Sequence, residues 1–144
     1  MKENTEKIEE MRNANWIDCA MFIEAMAGNP EFVKKSLEEH VEKLSKEGGV
    51  FIYEKSFDET EEVERPFPNV PKGYSQIVEI KVMVKRIEDL LRIVIKYCPS
   101  SVEVLHPETI KINITQMQDM LNLMAEIIHR FAQAGVGGVV MASG

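Results

Sequence analysis

The chain has 144 residues, 44% of them hydrophobic and 28% charged, with a formal net charge of −7. A chain of this length buries enough surface to fold as one domain without a disulfide or a metal. The negative charge disfavours nucleic acid as a partner, because phosphate-backbone binding depends on clustered Lys and Arg. The two cysteines, the charged first ten residues and the lack of a long apolar run predict a cytoplasmic protein with no membrane segment.

The first half of the chain alternates between strand and helix patterns. Residues 1–15 are polar and predict a short helix or an extended arm. Strict alternation over residues 16–27 predicts a strand with one wholly apolar face. That face comprises Ile17, Cys19, Met21, Ile23 and Ala25. A helix follows and ends near Gly48-Gly49, with apolar residues at helical spacing. They are Val33, Leu37, Val41 and Leu44.

The second half predicts strands at 50–57 and 74–85, joined by an acidic, proline-rich loop over 58–73. A helix over 86–97 places Ile87, Leu90, Leu91 and Val94 on one face, and 101–105 is a short strand. Residues 109–114 alternate again and extend that strand or pair with it. Thr115 and Gln118 are spaced as a capping box for a last helix of about five turns. Its apolar residues are Met117, Met120, Leu121, Met124, Ile127, Ile128 and Phe131.

This element order predicts a single α+β domain over residues 1–144. Two right-handed β-α-β crossovers in one antiparallel sheet give a ferredoxin-like βαββαβ fold, with helices packed on the sheet and an additional C-terminal helix. The first and third strands are expected at its centre. The predicted parts are an arm (1–15), the βαββαβ core (16–107), an extension strand and helix (108–134) and a glycine-rich tail (135–144).

The turn between the first strand and its helix has the sequence Gly28-Asn29-Pro30. Asn29 is a good helix N-cap, and Pro30 suits the first helical position. With this turn and the element order, residues 16–107 resemble ACT-like regulatory domains and dimeric α+β barrels. The resemblance implies a ligand site near the turn but carries over no functional residue. Free backbone N–H groups at the helix N-terminus make Gly28 and Asn29 candidates for binding an anion or an amino acid, although ordinary capping explains the same sequence.

Three charged residues of the central strands are candidates for catalysis. Glu24 and Glu79 are expected on adjacent strands with Lys81 close by. Paired carboxylates support acid–base chemistry when their environments differ. The alternative is a cross-strand charge network, which stabilises by roughly 0.2–1 kcal/mol for each favourable pair.

The sheet face away from the two core helices is expected to carry apolar side chains that need a partner or an internal cover. The predicted interface residues are Phe22, Ile77, Met83, Leu105, Val139 and Val140, the last two in the tail. The last helix also needs a cover. Packing on the domain's own sheet is the default interpretation, and docking on another subunit is the alternative.

No metal or cofactor is predicted, because His40, His106, His129 and Cys98 have no ligand spacing. Three functional hypotheses stay open. The first is a non-enzymatic homo-oligomeric domain that binds a small ligand at a subunit boundary. The second is a small enzyme with an inter-subunit pocket lined by carboxylates. The third is an RRM-like nucleic-acid platform. It is the least favoured, because such platforms bind bases with aromatic residues on their central strands, and this chain has none between Tyr74 and Lys85.

Overall fold

A computed structural model of the protein describes residues 2–135, together with their side chains except those of residues 2, 3, 65–67, 70 and 71. The described chain divides into two compact units, the first ending at Glu108 and the second beginning at Thr109. The elements of the first unit are α1 (Lys2–Asn13), β1 (Ile17–Ala27), α2 (Pro30–Ser45), β2 (Val50–Phe57), β3 (Glu61–Phe67), β4 (Val70–Val84), α3 (Ile87–Tyr97) and β5 (Ser101–His106). The described part of the second unit includes α4 (Ile114–Gln133).

The fold is α+β, and its strands form one antiparallel sheet in the order β2-β4-β1-β5. The two longest strands, β1 and β4, are therefore central, and β5 is an edge strand. β1 pairs with residues 74–84 of β4 along one side. β2 and β3 pair with successive halves of β4 along its other side.

One face of the sheet, which we call the helix face, packs against α2 and α3. The alternating residues of β1 predicted to be apolar lie on it, and Cys19 and Met21 are fully buried there. On α2, the four residues predicted from helical spacing are all buried. Asn29 caps this helix, with its side-chain oxygen accepting from the N–H groups of Glu31 (2.8 Å) and Phe32 (3.1 Å). The periodicity of both elements therefore predicted their buried faces.

The buried face of α3 differs from the predicted one. Ile93 and Tyr97 are the buried residues, while Ile87 and Leu90 pack at the margin of the core. Most of this helix is apolar, so periodicity alone did not single out one face. Cys98 ends the helix in a left-handed conformation (φ 50°) ahead of Pro99.

Two segments predicted as irregular or extended have other structures. The predicted loop over 58–73 contains β3 and the first residues of β4, which pair in a tight hairpin. Glu61, Glu62 and Glu64 of β3 are exposed, so they fit an edge strand that the proline content concealed. The predicted strand over 109–114 is not formed, and the capping box of α4 uses Asn113 and Gln116 in place of Thr115 and Gln118.

Candidate functional site

The second face of the sheet, which we call the outer face, is covered at one end by α1. The Arg12 guanidinium of α1 pairs with the Asp18 carboxylate of β1 at 2.5 Å. The Tyr53 hydroxyl of β2 donates to the other oxygen of Asp18 at 2.6 Å. The Lys7 ammonium lies 4.2 Å from the centroid of the Phe51 ring. Polar and cation–π contacts therefore hold α1 against this end of the sheet.

The Asp18 carboxylate is fully buried between these partners. Its hydrogen bond raises the pKa of Arg12, so the guanidinium stays charged. Burial raises the pKa of Tyr53, and the Asp18 carboxylate raises it further. Arg12 and Tyr53 therefore stay protonated and donate to Asp18. We interpret the cluster as a buried structural contact between α1 and the sheet. Sequence reasoning missed it, because strand alternation placed Asp18 on a face assumed to be open.

Beyond α1, the outer face carries charged side chains beside apolar ones. Strand register places Glu54, Lys81 and Ala20 in one row, and Glu79 and Phe22 in the next. A shallow groove of about 210 Å³ lies among Glu54, Ser56, Glu79 and Lys81. Lys81 forms an ion pair with Glu54 at 3.1 Å.

The three predicted catalytic residues share this face. Glu24 lies opposite Ile77, one row beyond Glu79 and diagonal to it across the β1–β4 pair. The partner of Lys81, however, is Glu54, which sequence reasoning did not include. The hydrogen bond to Glu54 raises the pKa of Lys81. A lysine that acts as a base or nucleophile needs the opposite shift, so this environment disfavours the catalytic role.

The predicted interface residues of the sheet have unlike environments. Phe22 and Leu105 are exposed, Ile77 is half-buried, and Met83 is fully buried at the end of the outer face near α1. Met83 is therefore not part of the exposed surface, because Asp18 opposite it belongs to the covered row. The predicted tail residues, Val139 and Val140, lie outside the described residues.

A second candidate site lies on the helix face, at the C-terminal end of α3. His40 Nε2 lies 2.9 Å from the Tyr97 carbonyl oxygen, which can only accept, so this nitrogen carries the proton. The His40 and Tyr97 rings meet edge-to-face with centroids 5.0 Å apart. The Tyr97 hydroxyl and the Lys96 ammonium both donate to Glu47 Oε1 at 2.6 Å. These contacts fix the two rings between α2 and α3.

The charges around Tyr97 are mutually stabilising. The hydrogen bond from Lys96 and then that from Tyr97 lower the pKa of Glu47. The hydrogen bond to Glu47 raises the pKa of Lys96. Burial, followed by the bond to Glu47, raises the pKa of Tyr97. Glu47 therefore remains an anion that accepts from both neighbours.

Beside these rings lies a cleft of about 290 Å³, close to the lower limit for small-ligand sites. Its apolar lining includes Ile23 and Leu37, and Glu24, Ser36, His40 and Tyr97 also line it. Cys98 lines the cleft with an exposed free thiol. Ser36 and His40 are one helical turn apart on α2, a spacing that places them on one face. Sequence reasoning examined His40 only as a metal ligand and missed this cleft.

Gly28 and Asn29, the candidate ligand-binding residues of the turn, do not line this cleft. The side chain of Asn29 is occupied in capping α2 and takes the N–H groups that an anion would otherwise use. A Cβ at Gly28 would meet nothing within 4 Å. The local geometry is accounted for by helix capping.

In the second unit, α4 carries a line of exposed apolar side chains. These side chains are between 46% and 84% exposed. They are Ile114, Met117, Leu121, Met124, Ile128 and Phe131. The half-buried residues of the helix fall between them. They are Gln116, Met120, Leu123 and Ile127. We call the exposed set the α4 stripe.

Two further features concern the described residues and side chains between positions 2 and 135. No three His, Cys, Asp or Glu side chains there come together in a group that could hold a metal ion. None of the helices in that range has the length and apolarity required to cross a bilayer.

The first unit is an α+β fold with an open antiparallel sheet, and the second unit carries the apolar α4 stripe. The sequence profile of the MJ0538 family matches residues 18–142, most of the chain. The protein belongs to the MJ0538 family. A comparison of the sequence with curated proteins gave no significant match.

Proposed function

We propose that the protein is a non-enzymatic domain that assembles with copies of itself. One observation carries the proposal. Among the residues whose side chains are described, eleven of the fifteen exposed large hydrophobic side chains lie between Val102 and Phe131. Water solvates such surfaces poorly, and large exposed apolar patches mark interaction sites in soluble proteins. Burial against another copy would remove these side chains from water.

Part of this proposal is a ferredoxin-like assignment of the first unit. With β3 set aside, the remaining strands follow the order β2-β4-β1-β5, and α2 and α3 both contribute to the core on one face. Both features support a split β-α-β arrangement. In this interpretation, β3 is an addition that lengthens one edge of the sheet. The assignment concerns the fold, and the function still rests on the exposed surfaces.

Sedimentation velocity of the intact chain tests the assembly directly. One chain has a mass of 16.4 kDa. We expect a multiple of that mass at micromolar concentration, with dissociation on dilution. A single species of one-chain mass across the whole concentration range would contradict the proposal. Far-UV circular dichroism on the same samples would show that the chain is folded.

The proposal includes a small ligand, and the cleft beside His40 is the site that supports it best. Its apolar wall and few polar groups suit a neutral molecule with an aromatic or aliphatic body and one hydrogen-bonding group. Amide NMR spectra recorded with phenol and with benzamide would test this. We expect shifts at Ile23 and Leu37 that are lost in Ser36→Leu and kept in the exposed control Lys35→Leu. Equal shifts in both variants would place binding elsewhere.

A further inference from the structure

The spacing of the α4 stripe is more specific than exposure alone. From Ile114 to Phe131, the exposed residues recur at intervals of three, four, three, four and three residues. These are the a and d positions of successive heptads, the pattern with which helices pack knobs into holes. Met120 and Ile127, at the g positions beside this seam, are half-buried, so the exposed part of the apolar surface of the helix is the a/d set.

Charges on α4 lie away from the stripe. Asp119 and Glu126 occupy f positions, and Arg130 occupies a c position, where it pairs with Glu126 at 2.5 Å. The e and g positions that flank an a/d seam carry no charge between Gln118 and Ala134. Two such helices could therefore approach along the stripe without desolvating an ion or placing like charges together.

We propose that the α4 stripe of one chain packs against the α4 stripe of a second copy. This inference rests on the proposed self-assembly and names its interface. The a positions are Ile114, Leu121 and Ile128, and the d positions are Met117, Met124 and Phe131. Every layer of the helix pair is then apolar in either relative orientation.

The size of the stripe is sufficient for a weak to moderate interface. At 1.5 Å per residue, the span from Ile114 to Phe131 covers about 26 Å of helix. Removing the exposed area of these six side chains in both chains would bury on the order of 1,200 Å², the lower end of the range for specific complexes. The charged groove of the outer face offers a poorer partner, because Glu54, Glu79 and Lys81 would have to lose solvation beneath an apolar stripe.

Charge substitutions at Leu121 test this pairing in the intact chain. Leu121 is 54% exposed and lies at the middle of the stripe, so it is close to its counterpart in either orientation. Leu121→Glu and Leu121→Lys should each reduce the sedimenting mass to that of one chain. The matched controls, Asn122→Glu and Asn122→Lys, add the same charges one residue away but off the stripe. They should keep the wild-type mass.

Mixing the two Leu121 variants separates self-pairing from other docking modes. If the α4 stripes of two chains pack against each other, the Leu121→Glu and Leu121→Lys chains should attract each other. An equimolar mixture should then sediment with the wild-type mass. Monomeric variants that fail to recover on mixing would show that the stripe docks on a different surface, which overturns the inference. An oligomer that persists in Leu121→Glu would also overturn it while leaving the proposed function intact. A monomeric wild-type chain would refute the proposed function itself.

Discussion

Arg12 of α1 reaches Asp18 of β1 with 2.5 Å between Nη2 and Oδ2, although the Arg12 side chain is 44% exposed and Asp18 has no exposed surface. A buried carboxylate is costly unless it is paired and hydrogen-bonded. Asp18 meets both conditions, through Arg12 and through the Tyr53 hydroxyl. The N-terminal helix therefore helps to complete the sheet by supplying a charge that β1 requires.

Removal of the guanidinium should destabilise the fold through Asp18. We expect Arg12→Ala to lower the free energy of unfolding by about 1–3 kcal/mol, since Asp18 stays buried with one donor lost. Urea denaturation at neutral pH would measure the change. Glu10→Ala, an exposed change on the same helix, should stay within about 0.5 kcal/mol. If both variants have the same midpoint, the ion pair contributes nothing to stability.

Cys19 should make the fold sensitive to alkali. Burial raises the pKa of its thiol from 9.0 to about 12. Between these two pH values the folded state keeps the thiol proton, while the unfolded chain loses it. The contribution of Cys19 to the free energy of unfolding is therefore complete below pH 9 and declines as the pH rises towards 12. The full loss is on the order of 4 kcal/mol. Unfolding free energies from pH 8 to 11.5, measured under reducing conditions, should fall more steeply for wild type than for Cys19→Ala.

Cys98→Ala is the control for the Cys19 experiment. It removes an exposed thiol and leaves Cys19 in place, so it should keep the steep alkaline decline. A Cys19→Ala profile parallel to those of wild type and Cys98→Ala would mean that the buried thiol does not drive the effect.

Sequence reasoning succeeded where one face of an element is buried and the other solvated. The apolar residues predicted for the buried faces of β1 and α2 recur with the right period, and each is buried or packs against the core. Asn29 and Pro30 marked the start of α2 to the residue, because capping chemistry is local. These features depend on neighbours a few positions away along the chain.

The features that were missed depend on residues distant in sequence. Asp18 could be recognised as buried only if α1 were known to cover it. The sequence of α1 has few apolar residues, so it does not indicate that this helix packs against the sheet. Tyr97 lies 57 positions from His40, yet its carbonyl fixes the tautomer of that ring. The hairpin of β3 was concealed by its prolines and acids, although a strand exposed at a sheet edge tolerates both.

The helix-face assignment of α2 has a direct test. Leu37 is 1% exposed in the core cluster, so Leu37→Ala should lower the free energy of unfolding by about 2–5 kcal/mol. Glu39 lies on the exposed side of the same helix, and Glu39→Ala should change it by no more than about 0.5 kcal/mol. Chemical denaturation of the two variants provides the comparison. An unchanged midpoint for Leu37→Ala would contradict the assignment.

The adjacent glycines after α2 should respond differently to the same substitution. Gly49 has φ +74°, and a Cβ there would lie 3.0 Å from Asp89 Oδ2, an oxygen that pairs with Arg86. Gly49→Ala should therefore cost about 1–2 kcal/mol from the backbone conformation alone. A Cβ at Gly48 would meet nothing within 4 Å, so Gly48→Ala is the matched control. Thermal unfolding that ranks Gly48→Ala as the less stable variant would contradict this geometry.

The pKa of Lys81 tests the alternative hypothesis that the protein is an enzyme. Its hydrogen bond to Glu54 is the largest cause of its raised pKa, and Glu79 contributes less. NMR titration of the Lys81 side chain should show a pKa above the ordinary lysine value. Glu54→Gln should lower that pKa more than Glu79→Gln does, because only Glu54 bonds directly to the ammonium. A wild-type pKa below the ordinary value would instead indicate a lysine prepared for proton transfer, and it would favour the carboxylate-lined pocket as a catalytic site.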